Sequence, residues 1–373
     1  MSESIPLSDR VHQIRPSGIR RIFDLAVANP DGIDLSIGDP DFDIPDPIKE
    51  EGIHWIRKGF NRYVSTRGIP DLRQALRTHL ANQGLQFEDL LITSGATGGY
   101  FLTIMSVVNP GDEVLIVDPY FVSYANVVVM CGGVPKFIDT YPDFSLRAER
   151  ILPLISSRTK AIVINNPNNP TGIVYSRDEL HLVSEIARKH GLHIISDEIY
   201  DRFVYGDTPF LSIASVNDEA IVIGGFSKSS GMTGWRLGYV TGPSHIIDAM
   251  ATFQQYSYVC ANSIAQKAAI SALSYDMSLY VAKFSNRRDK FYEGLRNHFR
   301  LPSSRGAFYL FPEAPNQDAE RLVEKAISRK LFIIPGEVFS RRNTHFRLSF
   351  AVTDDKIDRA IEILCDLSRE LSR

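Results

Sequence analysis

Lys228 stands in the run Gly224-Gly225-Phe226-Ser227-Lys228-Ser229-Ser230-Gly231, a loop of small residues behind a Val/Ile-rich segment. An amine so placed reaches a cleft at the edge of a buried sheet, where open α/β sheets bind ligands. It becomes a nucleophile when positive charge or burial lowers its pKa. Arg236 follows eight residues later, suited to supply that charge and to grip a phosphate. A lysine in a flexible surface loop is the competing reading of the same residues. Three further stretches carry polar chemistry beside apolar runs. Asn165-Asn166-Pro167-Asn168-Asn169-Pro170-Thr171-Gly172 is rich in turn formers and also reads as a plain turn. Ser196-Asp197-Glu198-Ile199-Tyr200 puts a carboxylate at a strand end, where it needs a partner or caps a helix. Ser94-Gly95-Ala96-Thr97-Gly98-Gly99 frees backbone N–H groups for an anion at a helix start. Arg347, inside the apolar alternation Phe346–Phe350, calls for an anion or solvent.

Elements able to hold these residues follow from the hydrophobic pattern. Short runs at Leu90–Thr93, Glu113–Val117, Pro135–Ile138, Ala161–Ile164, Leu192–Ser196, Ala220–Gly224 and Gly238–Thr241 are predicted strands. Their continuous apolar character suits a mainly parallel sheet covered on both faces. Between the fourth and fifth, Ser176 and Glu179 have capping-box spacing, and Leu180, Val183 and Ile186 share one face before Gly191. This is a βαβ unit, and it predicts an α/β domain with a seven-stranded sheet. Toward the C-terminus, helices are predicted over Asp318–Arg329 and Asp354–Leu371, with strands at Leu331–Ile334 and Phe346–Phe350. The expected organisation is a large domain over 46–269 and a smaller α+β domain made of 1–45 and 270–373.

Composition narrows the function classes. The 373 residues are 44% hydrophobic and 23% charged, with a net charge of -3. Nucleic acid is not the expected partner, and no uncharged apolar run is long enough for a membrane. The N-terminal residues lack a signal-peptide pattern. Cys131, Cys260 and Cys365 form no metal or redox pair, so no metal is expected and a reducing, cytoplasmic setting is.

The run Ser227-Lys228 to Thr233-Gly234-Trp235-Arg236 resembles the cofactor-lysine signature of the class I/II aminotransferases, which are fold-type I pyridoxal-phosphate enzymes. The motifs occur in that family's order from about Ser36 to Phe350. The resemblance implies that Lys228 carries pyridoxal 5'-phosphate as a Schiff base and that Arg236, Ser227, Gly95, Ala96 and Thr97 hold its phosphate. It implies that Asp197 pairs with the pyridine nitrogen, that Asn169 and Tyr200 meet the phenolic oxygen, and that Phe121 stacks on the ring. Arg347 matches the substrate α-carboxylate arginine, with Gly38 and Asn169 nearby. Tyr63 matches a tyrosine donated to the phosphate of a neighbouring subunit, which implies a homodimer. Gly225 departs from the pattern, since many relatives have serine there. The implied activity is ping-pong transfer of an amino group between an L-amino acid and a 2-oxo acid. A lyase acting on a β-substituted amino acid would use the same residues. A cofactor-sensing regulator is disfavoured by the acidic charge balance. The substrate side chain is not readable, and no cluster in the sequence marks a dicarboxylate pocket.

Overall fold

A computed structural model describes residues 7–14 and 16–372. The reading of the N-terminal residues for a signal peptide, and the start of the 1–45 segment, fall partly outside them. The strands in chain order are β1 (Ile33–Asp34), β2 (Asp89–Thr93), β3 (Glu113–Asp118), β4 (Val134–Asp139), β5 (Thr159–Asn165), β6 (His193–Asp197), β7 (Ile221–Gly225), β8 (Gly238–Gly242), β9 (Tyr309–Leu310), β10 (Leu331–Phe332), β11 (Ile334–Pro335) and β12 (Phe346–Ser349).

Seven of them form the central sheet in the order β2-β8-β7-β6-β5-β3-β4. The apolar runs have the physical cause read from the sequence, because alternate residues face two different cores. Ile116, Val163, Ile195 and Ile223 pack on one face, under Tyr100, Leu102, Ile247 and Met250. Leu115, Ile162, Ile194 and Val222 pack on the other, under Leu180, Val183 and Ile186. The Arg177–His190 helix begins with the capping box, Glu179 N donating to Ser176 Oγ. It ends at Gly191 in the left-handed region, φ 64° and ψ 41°.

Strand direction decides which ends meet. Strands β4, β3, β5, β6 and β7 run parallel. β8 is antiparallel to both neighbours, β7 and β2. The ends of β2, β3, β5, β6 and β7 and the start of β8 therefore share one edge. Onto that edge the chain delivers Gly95–Thr97, Phe121, Asn169, Tyr200, Lys228 and Arg236.

A second sheet, β11-β12-β9, is antiparallel, and β1 pairs with β10 in parallel. Its core is aromatic, with Phe284, Phe291, Phe308, Phe311, Phe332, Phe346 and Phe350 all buried. The predicted single strand Leu331–Ile334 is in fact two strands in different sheets. Leu331 and Phe332 face β1, while Ile334 has switched to pair with Arg347. The predicted Asp318–Arg329 helix is shorter by one residue at each end, because Asp318 is its N-cap and accepts from Arg321 N. Leu35 N donates to Phe332 O and Leu35 O accepts from Ser349 N, so the N-terminal segment is stitched to this sheet just before Ser36–Phe42. Arg287 is buried and pairs with both Asp41 and Asp354, fixing the far end of that segment.

Candidate active site

A cavity of about 520 Å³ opens between the sheet edge and the second sheet. It is lined by Gly38, Ala96, Thr97, Phe121, Asn169, Asp197, Tyr200, Ser227, Lys228, Arg236 and Arg347. Residues from opposite ends of the chain thus share one space.

Lys228 lies in the loop that closes directly after β7, where Ser230 N donates back to Phe226 O. Its Nζ donates to Gly38 O at 2.6 Å. Burial lowers its pKa to about 8, helped by Arg236 and Arg347 and opposed by Asp39. Its amine is therefore far more nucleophilic near neutrality than a surface lysine. Gly225, where a serine was expected, is closed in. A Cβ there would lie 3.0 Å from Ile199 Cδ1 and 3.1 Å from Leu237 O.

Asp197 ends β6 and a turn follows it, so the helix-capping alternative is out. Its Oδ2 accepts from the Tyr124 hydroxyl at 2.7 Å and its Oδ1 from Ile199 N at 3.1 Å. Burial raises its pKa, against these two hydrogen bonds and Lys228. It is a buried carboxylate with neutral donors and no salt bridge among the described residues. Such a group suits a cationic N–H. Neighbouring Glu198 is structural: Ser196 Oγ and Ile213 N donate to it, and burial lifts its pKa to about 7.

The asparagine-rich segment is buried throughout, not an exposed turn. Asn165 Nδ2 donates to Asp197 O, and its Oδ1 accepts from Asn169 N at 2.7 Å. That pair aims Asn169 at Arg347, whose Nη1 donates to Asn169 Oδ1 at 3.0 Å. Arg347 Nη2 donates to Ser36 O. Its guanidinium lies between Tyr309 and Phe339, 4.6 and 4.4 Å from the ring centres. Its buried Nε has no protein partner. A fork held by aromatic faces with a spare donor suits a carboxylate.

Gly95 starts the Gly95–Val107 helix with φ 70°. A Cβ there would sit 2.6 Å from Arg236 Nη2, so the glycine leaves room for the guanidinium beside the helix N-terminus. Arg236 is anchored by Nη1 donating to Thr233 O at 2.9 Å. Helix N–H groups, Thr97, Ser227 and a guanidinium converge as a cradle for a phosphate.

Several residues that shape the cavity were not evident from the sequence. Tyr124 holds Asp197, and Tyr309 meets the Tyr200 hydroxyl at 2.8 Å. Tyr309 also explains Gly38, since a Cβ on Gly38 would fall 1.8 Å from the tyrosine oxygen. Tyr124 follows Phe121 at helical spacing, with rings 5.8 Å apart, a faint signal at best. Tyr63 is the one expected residue placed elsewhere. It is 85% exposed, in a shallow recess with Asn61, Arg62 and Cys260–Ile264.

Residues 30–364 match the family model described as aminotransferase class I and II. The chain belongs to the class I and II aminotransferases. A probable aspartate aminotransferase of Methanocaldococcus jannaschii is 36% identical, over 97% of this chain and 99% of that protein. An aromatic-amino-acid aminotransferase of Thermococcus litoralis is 34% identical over 95% and 96%. Among solved structures, the aspartate aminotransferase of Thermus thermophilus with maleate superposes with a TM-score of 0.93, at 31% identity and 98% and 100% coverage. The large sheet and its helices are the fold-type I architecture of these aminotransferases. This aminotransferase family depends on pyridoxal phosphate, and its named relatives are enzymes of amino transfer. No helix among the described residues is long and apolar enough to cross a membrane.

Proposed function

We propose that this aminotransferase binds pyridoxal 5'-phosphate at Lys228 and exchanges amino groups between L-amino acids and 2-oxo acids in a ping-pong cycle. The observation that carries the reading is one cavity holding a depressed-pKa lysine, a buried carboxylate without a cation, and a sandwiched arginine fork. When bound, the cofactor supplies an electron sink for the α-carbon of the substrate. Asp197, held by Tyr124 and Ile199 N, would keep the pyridine nitrogen protonated. Arg236, Ser227, Thr97 and the N–H groups after Gly95 take the phosphate. Phe121, Asn169 and Tyr200 line the same cavity and would hold the cofactor ring and its phenolic oxygen. Arg347, with Asn169 and Gly38 beside it, orients the α-carboxylate and so aligns the α C–H bond with the lysine. The Lys228 amine, once released from the cofactor, would be the base that takes the α-proton.

The relatives from Methanocaldococcus and Thermococcus are named for aspartate and for aromatic amino acids, and we take these as the substrate range to test. Tyr63 is exposed on its own chain, which supports a homodimer in which it serves the partner's phosphate. Three unpaired cysteines support a cytoplasmic setting. The large and small domains are proposed to meet at the cavity, 46–269 against 1–45 plus 270–373. The test is reduction of the yellow holoenzyme with borohydride and peptide mapping, together with a screen of amino donors and oxo acceptors. A reduced adduct on Lys228 and turnover of at least one pair are expected. An adduct on another lysine overturns the assignment.

A further inference from the structure

Among the described residues lining the cavity is one cation that amino transfer itself leaves unused. Among the described residues, its lining carries Lys228, Arg236, Arg347 and Arg20. Lys228 takes the cofactor, Arg236 its phosphate and Arg347 the α-carboxylate. Among the described residues, the ion-pair partner of Arg20 is Asp24, one helical turn along, at 3.1 Å, and both side chains of that pair are largely exposed. Such a pair is weak and gives way to a better anion.

Its place on the molecule is set by packing. Arg20 lies on the Gly18–Val27 helix, which buries Ile22 and Ala26 against the small sheet. Gly18 touches the loop after β11 so closely that a Cβ would lie 2.4 Å from Val338 Cγ2. β11 in turn pairs with β12, Ile334 opposite Arg347. Arg20 and Arg347 therefore come from the same unit, and both line the cavity across from Lys228 and Asp197. Arg347 is buried at its floor and Arg20 is exposed at its mouth. Ile19, Arg20 and Phe23 line the same cavity as Arg347, so a substrate whose α-carboxylate is on Arg347 would share that space with the Arg20 guanidinium.

The geometry points to Arg20 as the residue that selects a substrate with a second carboxylate, the four- or five-carbon acidic amino acids and their oxo acids. This rests on the aminotransferase reading and refines it. A diacid brings one more negative charge than an aromatic or aliphatic substrate, and Arg20 is the cavity cation left to meet it. The Phe23 ring, 5.0 Å from the guanidinium, holds the cation over an apolar wall.

The holoenzyme and its Arg20→Gln and Arg20→Lys variants are compared with L-aspartate, L-glutamate and L-phenylalanine. Maleate binding is followed in parallel by the change in cofactor absorbance. In Arg20→Gln, kcat/KM for the acidic substrates is expected to fall about tenfold or more, through KM, and maleate to weaken in step. Phenylalanine is expected to lose far less, and Arg20→Lys to recover part of the acidic preference. Equal losses for acidic and aromatic substrates, or no loss for either, overturn the assignment. So does a wild-type enzyme that turns over phenylalanine and not aspartate. A wild-type enzyme inactive with every amino acid instead overturns the amino-transfer reading.

Discussion

Lys228 illustrates how position alone changes an amine. Its pKa of about 8 comes from burial first, then from Arg236 and Arg347. In the cofactor-free protein, the amine is thus neutral above about pH 8, where solvent-exposed lysines are still charged. Uptake of pyridoxal phosphate is expected to accelerate as pH rises through 8 and then level off; a rate still climbing toward pH 10.5 means that Lys228 is not the reacting group. Asp197 depends on a different neighbour. Tyr124 donates to it and opposes the upward pull of burial on its pKa. Tyr124→Phe is expected to move the acid limb of kcat/KM to higher pH, because the carboxylate then protonates more easily. Asp197→Asn removes the charge itself, and turnover is expected to drop by on the order of 10²-fold or more, with cofactor binding reduced far less. Near-normal transamination by Asp197→Asn contradicts its role. None of this was readable as distances, yet the identities were. Lys228, Asp197, Asn169, Arg236 and Arg347 each stood in a motif of several residues. Tyr124, Tyr309 and Arg20 did not, since a lone tyrosine or arginine on a helix or strand has many ordinary reasons to be there.

Elements carried most of the legible information, and their junctions carried the rest. Six of the seven strands were visible because they are buried on two faces and read as apolar runs; the edge strand β4 is mostly part-exposed and reads less cleanly. The Arg177–His190 helix was visible because both ends are written in side chains, Ser176 with Glu179 and then Gly191. Ser176→Ala is expected to cost about 0.5–2 kcal/mol of stability in chemical denaturation, without altering turnover. The split between β10 and β11 was illegible, because a strand that changes partners within four residues looks like one strand in pattern. At the helix start beside the phosphate cradle, backbone conformation and spacing act together. Gly95→Ala places a side chain at φ 70° and against the Arg236 guanidinium. The left-handed backbone alone costs roughly 1–2 kcal/mol, and Arg236 must also move. Pyridoxal phosphate affinity, measured by absorbance titration, is expected to fall at least tenfold. Unchanged affinity removes Arg236 and Gly95 from the cradle.

At the scale of the molecule, the cavity gathers residues of the seven-stranded sheet's edge and of the β11-β12-β9 sheet, and one of the expected residues faces away. Arg347, on β12, donates to Ser36 O and to Asn169 Oδ1 and so ties three distant stretches of chain together. Deleting its side chain leaves both acceptors unpaired, so Arg347→Lys is the cleaner probe of carboxylate recognition, keeping the charge and losing the fork. Tyr63 lies outside its own chain's cavity and is 85% exposed, close to Cys260–Ile264. Nearby along the chain, Tyr256 is 83% exposed and Tyr258 and Val259 are also open. Several large apolar side chains in water on one short stretch would suit an interface with a second copy. Tyr258 also reaches inward, where a Cβ on Gly98 would lie 3.7 Å from its ring, in the first turn of the phosphate-side helix. A second copy docked on this stretch would cover those rings and carry its Tyr63 toward the phosphate cradle. The protein is therefore expected to sediment as a dimer. Tyr63→Phe is expected to leave the dimer intact and to weaken cofactor retention in dialysis several-fold, by loss of one hydrogen bond to a charged group. Tyr256→Glu is expected to shift the population toward monomers, and cofactor loss is expected to follow the monomer fraction. A fully active monomer that keeps its cofactor as well as the dimer does would take Tyr63 out of the site and leave the phosphate to Arg236, Ser227 and the helix N-terminus alone.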